Sequence, residues 1–130
     1  MIHKDTRSIS FPAQINLTRG LLEYLIVRSS GKVHESLLRT SVDPFQLQIA
    51  FLLLGFEGTD RPLAHQGAPD TPRGEPVEIS FIAARGTTGE KMVVKPEQWI
   101  AHWTGHQYRD VGPLNWVYRG SLVMDGRFLA

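Results

Sequence analysis

Apolar and polar residues alternate near the start of the chain, where Ile9, Phe11 and Ala13 are separated by Ser10, Pro12 and Gln14. A period of two predicts a strand with one buried face. Pro12 has no N–H to give a ladder, so this strand belongs at an edge or turns its proline nitrogen outward. Residues 17–20 read as a turn. The apolar run from Leu21 to Val27 is rich in strand formers (Tyr24, Ile26, Val27), and a second run follows from Val33 to Leu38. Ser29-Ser30-Gly31 lies between them, and Gly31 suits a left-handed turn position. Leu21–Leu38 is therefore expected to be a hairpin.

The clearest element is a helix over 44–54. Asp43 is a suitable N-cap, and Pro44 occupies the first helical position, where its missing N–H costs nothing. Gln46 completes a capping box, and Val42 with Leu47 is placed for a hydrophobic staple. Gly55 stands where a left-handed residue is wanted, and Phe56 can fold back onto Phe51. Only Gln46 and Gln48 interrupt the apolar body. A helix apolar nearly all round is expected to be buried on several sides, and this one is too short to span a bilayer.

From Glu57 to Pro76 the periodicity disappears among four prolines and three glycines, which reads as a long mobile surface loop. Val77, Ile79 and Phe81 alternate again with Glu78, Ser80 and Ile82. Gly86–Gly89 is a loop, with residues 91–95 returning as a hairpin partner. Pro96-Glu97-Gln98 opens a helical turn through Trp99 and Ile100. Residues 102–112 are polar and irregular. A two-faced strand follows over 115–124, and Asp125-Gly126 is a strong two-residue hairpin signal. Strands, one helix, then more strands predict an α+β fold: a mainly antiparallel, curled sheet around one central buried helix at about 43–55.

The chain has 130 residues, one domain's worth, with 42% hydrophobic and 21% charged residues. This is neither a disordered nor a membrane-embedded composition. A net charge of +1 gives no reason to expect nucleic acid as a partner. Cysteine is absent, which excludes disulfides, thiolate zinc sites, cysteine-held iron–sulfur clusters and a cysteine nucleophile. No cofactor is expected. Met1 leads straight into patterned sequence without an apolar stretch of signal-peptide length, and Phe128-Leu129-Ala130 ends abruptly on apolar residues. The chain reads as a fragment of something longer.

Most catalytic motifs fail. His34-Glu35 begins like a zinc-protease helix motif, but Leu38 stands where the second histidine belongs. There is no Gly-x-Ser-x-Gly elbow, no Walker loop and no dinucleotide-binding glycine pattern. His102 and His106 would share a helix face, but Gly105 argues against a helix there. On a strand His34 and Glu35 would point to opposite faces, one of them inward, so they are expected mainly to satisfy polar groups inside the fold. Metal ligation by His34, His102 or His106 is the second reading. Trp116 and Tyr118 are expected in the core with their polar tips at its rim.

Phe11-Pro12-Ala13, Leu22-Glu23-Tyr24-Leu25, Gly31-Lys32-Val33-His34-Glu35-Ser36-Leu37-Leu38, Leu52-Leu53-Leu54-Gly55 and Trp116-Val117-Tyr118 with Gly120-Ser121 run in order along the chain. In these segments the sequence resembles the YdjY-domain family of bacterial proteins. The resemblance covers nearly the whole chain and implies a single domain over 1–130. It also implies an exported, periplasmic location, because family members typically carry an export or lipoprotein signal. The candidate ligand-binding residues are Lys32, His34, Glu35, Trp116, Tyr118 and Ser121. The expected function is a non-catalytic module binding a protein or small ligand, with enzyme activity the less favoured reading. The alternative is a metal-binding or metal-dependent protein using His34 with Glu35, or His102 with His106.

Overall fold

The computed structural model describes residues 1–58 and 73–120, and the backbone of two strands at 122–124 and 127–129. In chain order its strands are β1 (Ile2–His3), β2 (Ser8–Ile9), β3 (Gln14–Ile15), β4 (Tyr24–Arg28) and β5 (Ser36–Thr40). The helix α1 (Pro44–Leu53) follows. Then come β6 (Glu75–Val77), β7 (Phe81–Arg85), β8 (Glu90–Val94), β9 (Ala101–Trp103), β10 (Tyr108–Asp110), β11 (Trp116–Tyr118), β12 (Leu122–Met124) and β13 (Arg127–Leu129). Among the described residues one α-helix stands with many short, mainly antiparallel strands, an α+β composition. Where one curled sheet was expected, the described strands form several small sheets, none of them closed. The chain gathers into two compact units, Met1–Glu75 with Tyr118–Ala130, and Pro76–Val117.

In the first unit β5 is the middle strand of three, antiparallel to β3 and parallel to β4. The expected hairpin is therefore replaced by a parallel pair, with Tyr24 opposite Ser36 and Arg28 opposite Thr40. After β4 the chain turns through Gly31, whose amide reaches the Arg28 carbonyl at 2.7 Å, and doubles back through one tight helical turn at Val33–Glu35. That turn takes the residues expected to begin the returning strand. Its polar backbone groups find partners outside any ladder. Asn16 Nδ2 donates to the carbonyls of Val33 and Ser36, and the Glu23 amide donates to the Glu35 carbonyl at 2.9 Å.

A strand paired on both sides can be buried almost throughout. Ser36, Leu37, Leu38 and Thr40 are all buried on β5. The two polar side chains are satisfied internally, as burial requires. Ser36 Oγ donates to the Leu38 carbonyl at 2.6 Å. Thr40 Oγ1 donates to the Pro12 carbonyl at 2.8 Å and accepts from the Val42 amide at 3.2 Å.

The helix starts and stops where its sequence signals place it. Asp43 Oδ1 accepts from the Phe45 amide at 2.9 Å, and Pro44 opens the first turn. At the other end Gly55 takes φ +79°, the Gly55 amide bonds to the Leu52 carbonyl, and the Phe56 amide bonds to that of Phe51. This is a Schellman ending. The Phe56 ring meets Phe51 edge-on at 5.2 Å. The helix is not enclosed on all sides, however. Ala50 is buried, whereas Phe45, Ile49, Leu52 and Leu53 are exposed. Those four follow i, i+4, i+7, i+8 spacing and so form one apolar stripe. The sequence could not separate this stripe from the core-facing one, because both are apolar.

Arg7, between β1 and β2, fastens the helix end. Its Nε donates to the Leu54 carbonyl at 2.9 Å and its Nη2 to the Gly55 carbonyl at 3.0 Å. The guanidinium lies 4.0 Å from the centre of the Phe56 ring and pairs with Glu75. A cation among the last carbonyls also complements the helix dipole. Arg7 adopts φ +51°, uncommon for a residue with a Cβ, and these contacts offset a backbone cost of about 1 kcal/mol. Glu75 in turn accepts from the Glu57 amide at 2.9 Å. That bond first, and then Arg7, lower the Glu75 pKa below its ordinary value. A carboxyl whose pKa falls on folding contributes stability above its unfolded pKa, and that stability is lost as pH falls through the folded pKa. Arg7→Met should cost about 1 kcal/mol through the lost helix-end contacts. It should also flatten the acid limb of a plot of melting temperature against pH. An unchanged acid limb would show that the Arg7–Glu75 pair does not tie these segments.

In the second unit β7 and β8 form a hairpin, with Phe81 opposite Val94 and Arg85 opposite Glu90. The loop expected at Gly86–Gly89 connects the two strands, and both glycines take positive φ. The turn at Pro96–Trp99 also forms where expected, and the Phe81 and Trp99 rings lie 5.2 Å apart. Residues 102–112, expected to be irregular, contain a second hairpin of β9 and β10. Thr104 and Gln107 close its loop through a 3.1 Å backbone bond. β6 pairs with β11, and in the first unit β12 pairs with β13. Most of the 57–76 connection and the Asp125-Gly126 turn lie outside the described residues.

Candidate functional site

The sequence-derived candidates fall in separate places. Lys32, His34 and Glu35 lie on the turn between β4 and β5. Because this is a helical turn, His34 and Glu35 do not project to opposite faces of a strand. His34 Nε2 approaches Glu35 Oε1 at 3.3 Å, and the His34 side chain is 72% exposed. Lys32 Nζ stands 5.9 Å from the centre of the Tyr24 ring. Neither His34 nor Glu35 points into the core as the strand reading required. The part of this turn in holding the fold passes through its backbone, by way of Asn16 and Glu23. The His34–Glu35 pair would supply two ligands to a metal. Among the described residues no three His, Cys, Asp or Glu side chains converge.

Tyr118 is a core residue of the first unit. Its ring stacks on Phe51 at 4.2 Å and 14°, with Phe56 edge-on at 6.1 Å. Its hydroxyl bonds to the Gln48 side chain. Burial raises its pKa above the ordinary tyrosine value, and the Gln48 bond only partly opposes this. This matches the expectation of an aromatic body inside with a satisfied polar tip. Ser121 lies outside the described residues.

His102 sits on β9 opposite Arg109 of β10, and His106 lies in the loop between those strands. The helix that would have aligned the two histidines is absent. His102, Thr104, Arg109 and Asp110 line an open recess of about 400 Å³ together with Val111 and Leu114.

Trp116 belongs to a cavity of about 240 Å³ in the second unit. Its walls are Val77, Ile79, Pro113, Leu114 and the Trp116 indole, with Glu78, Lys95 and Glu97 supplying the charges. The local sequence builds it. Pro96 starts a helical turn directly after β8, and Gln98 Oε1 closes the start of that turn by accepting from the Lys95 amide at 2.7 Å. Glu97 is thereby presented toward β11. Its Oε1 accepts from Trp116 Nε1 at 2.8 Å and from the Leu114 amide at 3.3 Å. Hydrogen bonds from its own amide and from the indole lower the Glu97 pKa, so it is ionised at neutral pH. Lys95 Nζ pairs with Glu78 and reaches Ser80 Oγ at 3.1 Å. The Lys95 contact lowers the Glu78 pKa as well.

Sequence reasoning reached Trp116 through its aromatic character and missed Glu97 and Lys95. Nothing in their spacing marks them, because their partners lie 15–19 residues away along the chain. No family model, curated protein or solved structure matches this chain.

Proposed function

We propose that this chain is a non-catalytic binding module that takes a small ligand in the cavity beside Trp116. The observation that carries the reading is the lining itself: five apolar walls with three charged groups beside them, of which Glu97 is tied to Trp116 and Leu114. That mixture is typical of ligand sites, where apolar surface gives affinity and a few polar groups orient the guest. The state of Glu97 supports binding over catalysis. A general base works best with a pKa near the operating pH, and Glu97 is shifted the other way by donors that already occupy it. The resemblance to the YdjY-domain family extends the proposal to a domain working outside the cytoplasm.

The test is a nitrogen–proton spectrum of labelled protein against a varied set of small compounds, with the Trp116 indole signal assigned from Trp116→Phe. Binders should shift that signal with saturable dependence on concentration, and no compound should be turned over. A Trp116 signal indifferent to the whole set would remove the cavity from consideration. The metal-binding alternative predicts a rise in melting temperature on adding zinc or copper that His34→Ala abolishes.

A further inference from the structure

We infer that the Trp116 cavity selects a small organic cation, a primary or substituted ammonium on a short apolar body. This rests on the cavity being a binding site and adds the chemical class of what enters it. The first support is charge. The lining holds two carboxylates, Glu78 and Glu97, against one ammonium, Lys95, which leaves one negative charge for a guest to balance. Lys95 makes its ion pair with Glu78 and bonds Ser80, and its charge also acts on Glu97 at longer range. Among the described residues Glu97 has no ion pair of its own, so it is the lining carboxylate open to a guest cation.

The second support is the hydrogen-bond inventory. An ionised carboxylate offers about four acceptor positions. Among the described residues Trp116 and Leu114 both donate to its Oε1, so acceptor capacity remains on the carboxylate. An ammonium donor suits that capacity, whereas a guest carboxylate there would meet like charge. The third support is the indole. Its N–H is committed to Glu97, which fixes the ring in the cavity wall beside that carboxylate, and an indole attracts a cation more strongly than the other aromatic side chains do. The remaining walls, Val77, Ile79, Pro113 and Leu114, accept only an apolar body. The size of the cavity restricts that body to a few carbon atoms, since larger drug-like ligands occupy roughly 300–1,000 Å³.

The test uses the whole chain and three probes of one shape: butylammonium, butanol and butyrate. Each is titrated at millimolar concentration while the Trp116 indole signal is followed. Butylammonium should bind most tightly and butyrate least. Glu97→Gln keeps an oxygen for the indole and removes the charge. It should weaken butylammonium about tenfold more than it weakens butanol. Circular dichroism checks that the variant is folded. If it is not, Glu78→Gln removes the other lining carboxylate at an exposed side chain and should also reduce the preference for the cation. Equal binding of butylammonium and butanol, or a preference for butyrate, would overturn the cation assignment while leaving the cavity a binding site. A Trp116 signal that none of the three moves would overturn both.

Discussion

Tyr118→Ala is expected to destabilise the protein by about 3–5 kcal/mol, read as a lower urea midpoint with an unchanged denaturant slope. The cost has identifiable parts. The buried ring is stacked on Phe51 and met edge-on by Phe56, so truncation removes a large apolar area and two aromatic contacts together. Gly74 packs so closely on the Tyr118 carbonyl that even a Cβ there would collide with it, which leaves the backbone little room to close the gap. Tyr118→Phe keeps the stack and loses only the hydroxyl bond to Gln48, so it should cost about 0.5–1.5 kcal/mol. If Tyr118→Ala cost no more than Tyr118→Phe, the aromatic cluster would not be a core.

The alkaline behaviour of Tyr118 should agree. Its folded pKa lies above the unfolded value of 10.0, because burial disfavours the phenolate. The folded state then holds a proton that the unfolded state releases, so stability falls as pH rises through that unfolded value. Tyr118→Phe should remove this part of the alkaline decline.

What was legible in the sequence is what neighbouring residues decide among themselves. The cap at Asp43, the proline at the first helical position, the glycine ending and the Phe56–Phe51 contact all lie within a few residues of one another, and each formed. The Gly86–Gly89 hairpin loop and the Pro96 turn are local in the same way. Pairing decided over longer separations was not legible. The run over 33–38 reads as a returning strand, but Asn16 and Glu23, well upstream, satisfy the carbonyls of a helical turn and set β5 parallel to β4. Ser36 and Thr40 look like surface residues until their partners at Leu38 and Pro12 are known. Arg7 carries no signal for its role, since the helix end it fastens lies 47 residues further on. At the cavity, an indole was a visible candidate, whereas the carboxylate that orients it was one acidic residue among thirteen.

Leu38→Ala and Leu53→Ala together test where the core of the first unit lies. Both are leucines in strongly apolar runs. The structure separates them: Leu38 is 6% exposed on the central strand, and Leu53 is 66% exposed on α1. Removing Leu38 leaves a cavity beneath a strand pinned on both sides by β3 and β4 and by the Ser36 and Thr40 bonds, so the surroundings can collapse only partly. A loss of about 2–5 kcal/mol is expected. Truncating Leu53 uncovers little that was buried, and alanine is the better helix former. Its effect should stay within about 0.5 kcal/mol. Urea unfolding of both variants gives the comparison directly. Equal losses would mean that the stripe formed by Ile49, Leu52 and Leu53 is covered in solution, and would move the centre of this unit from β5 to α1.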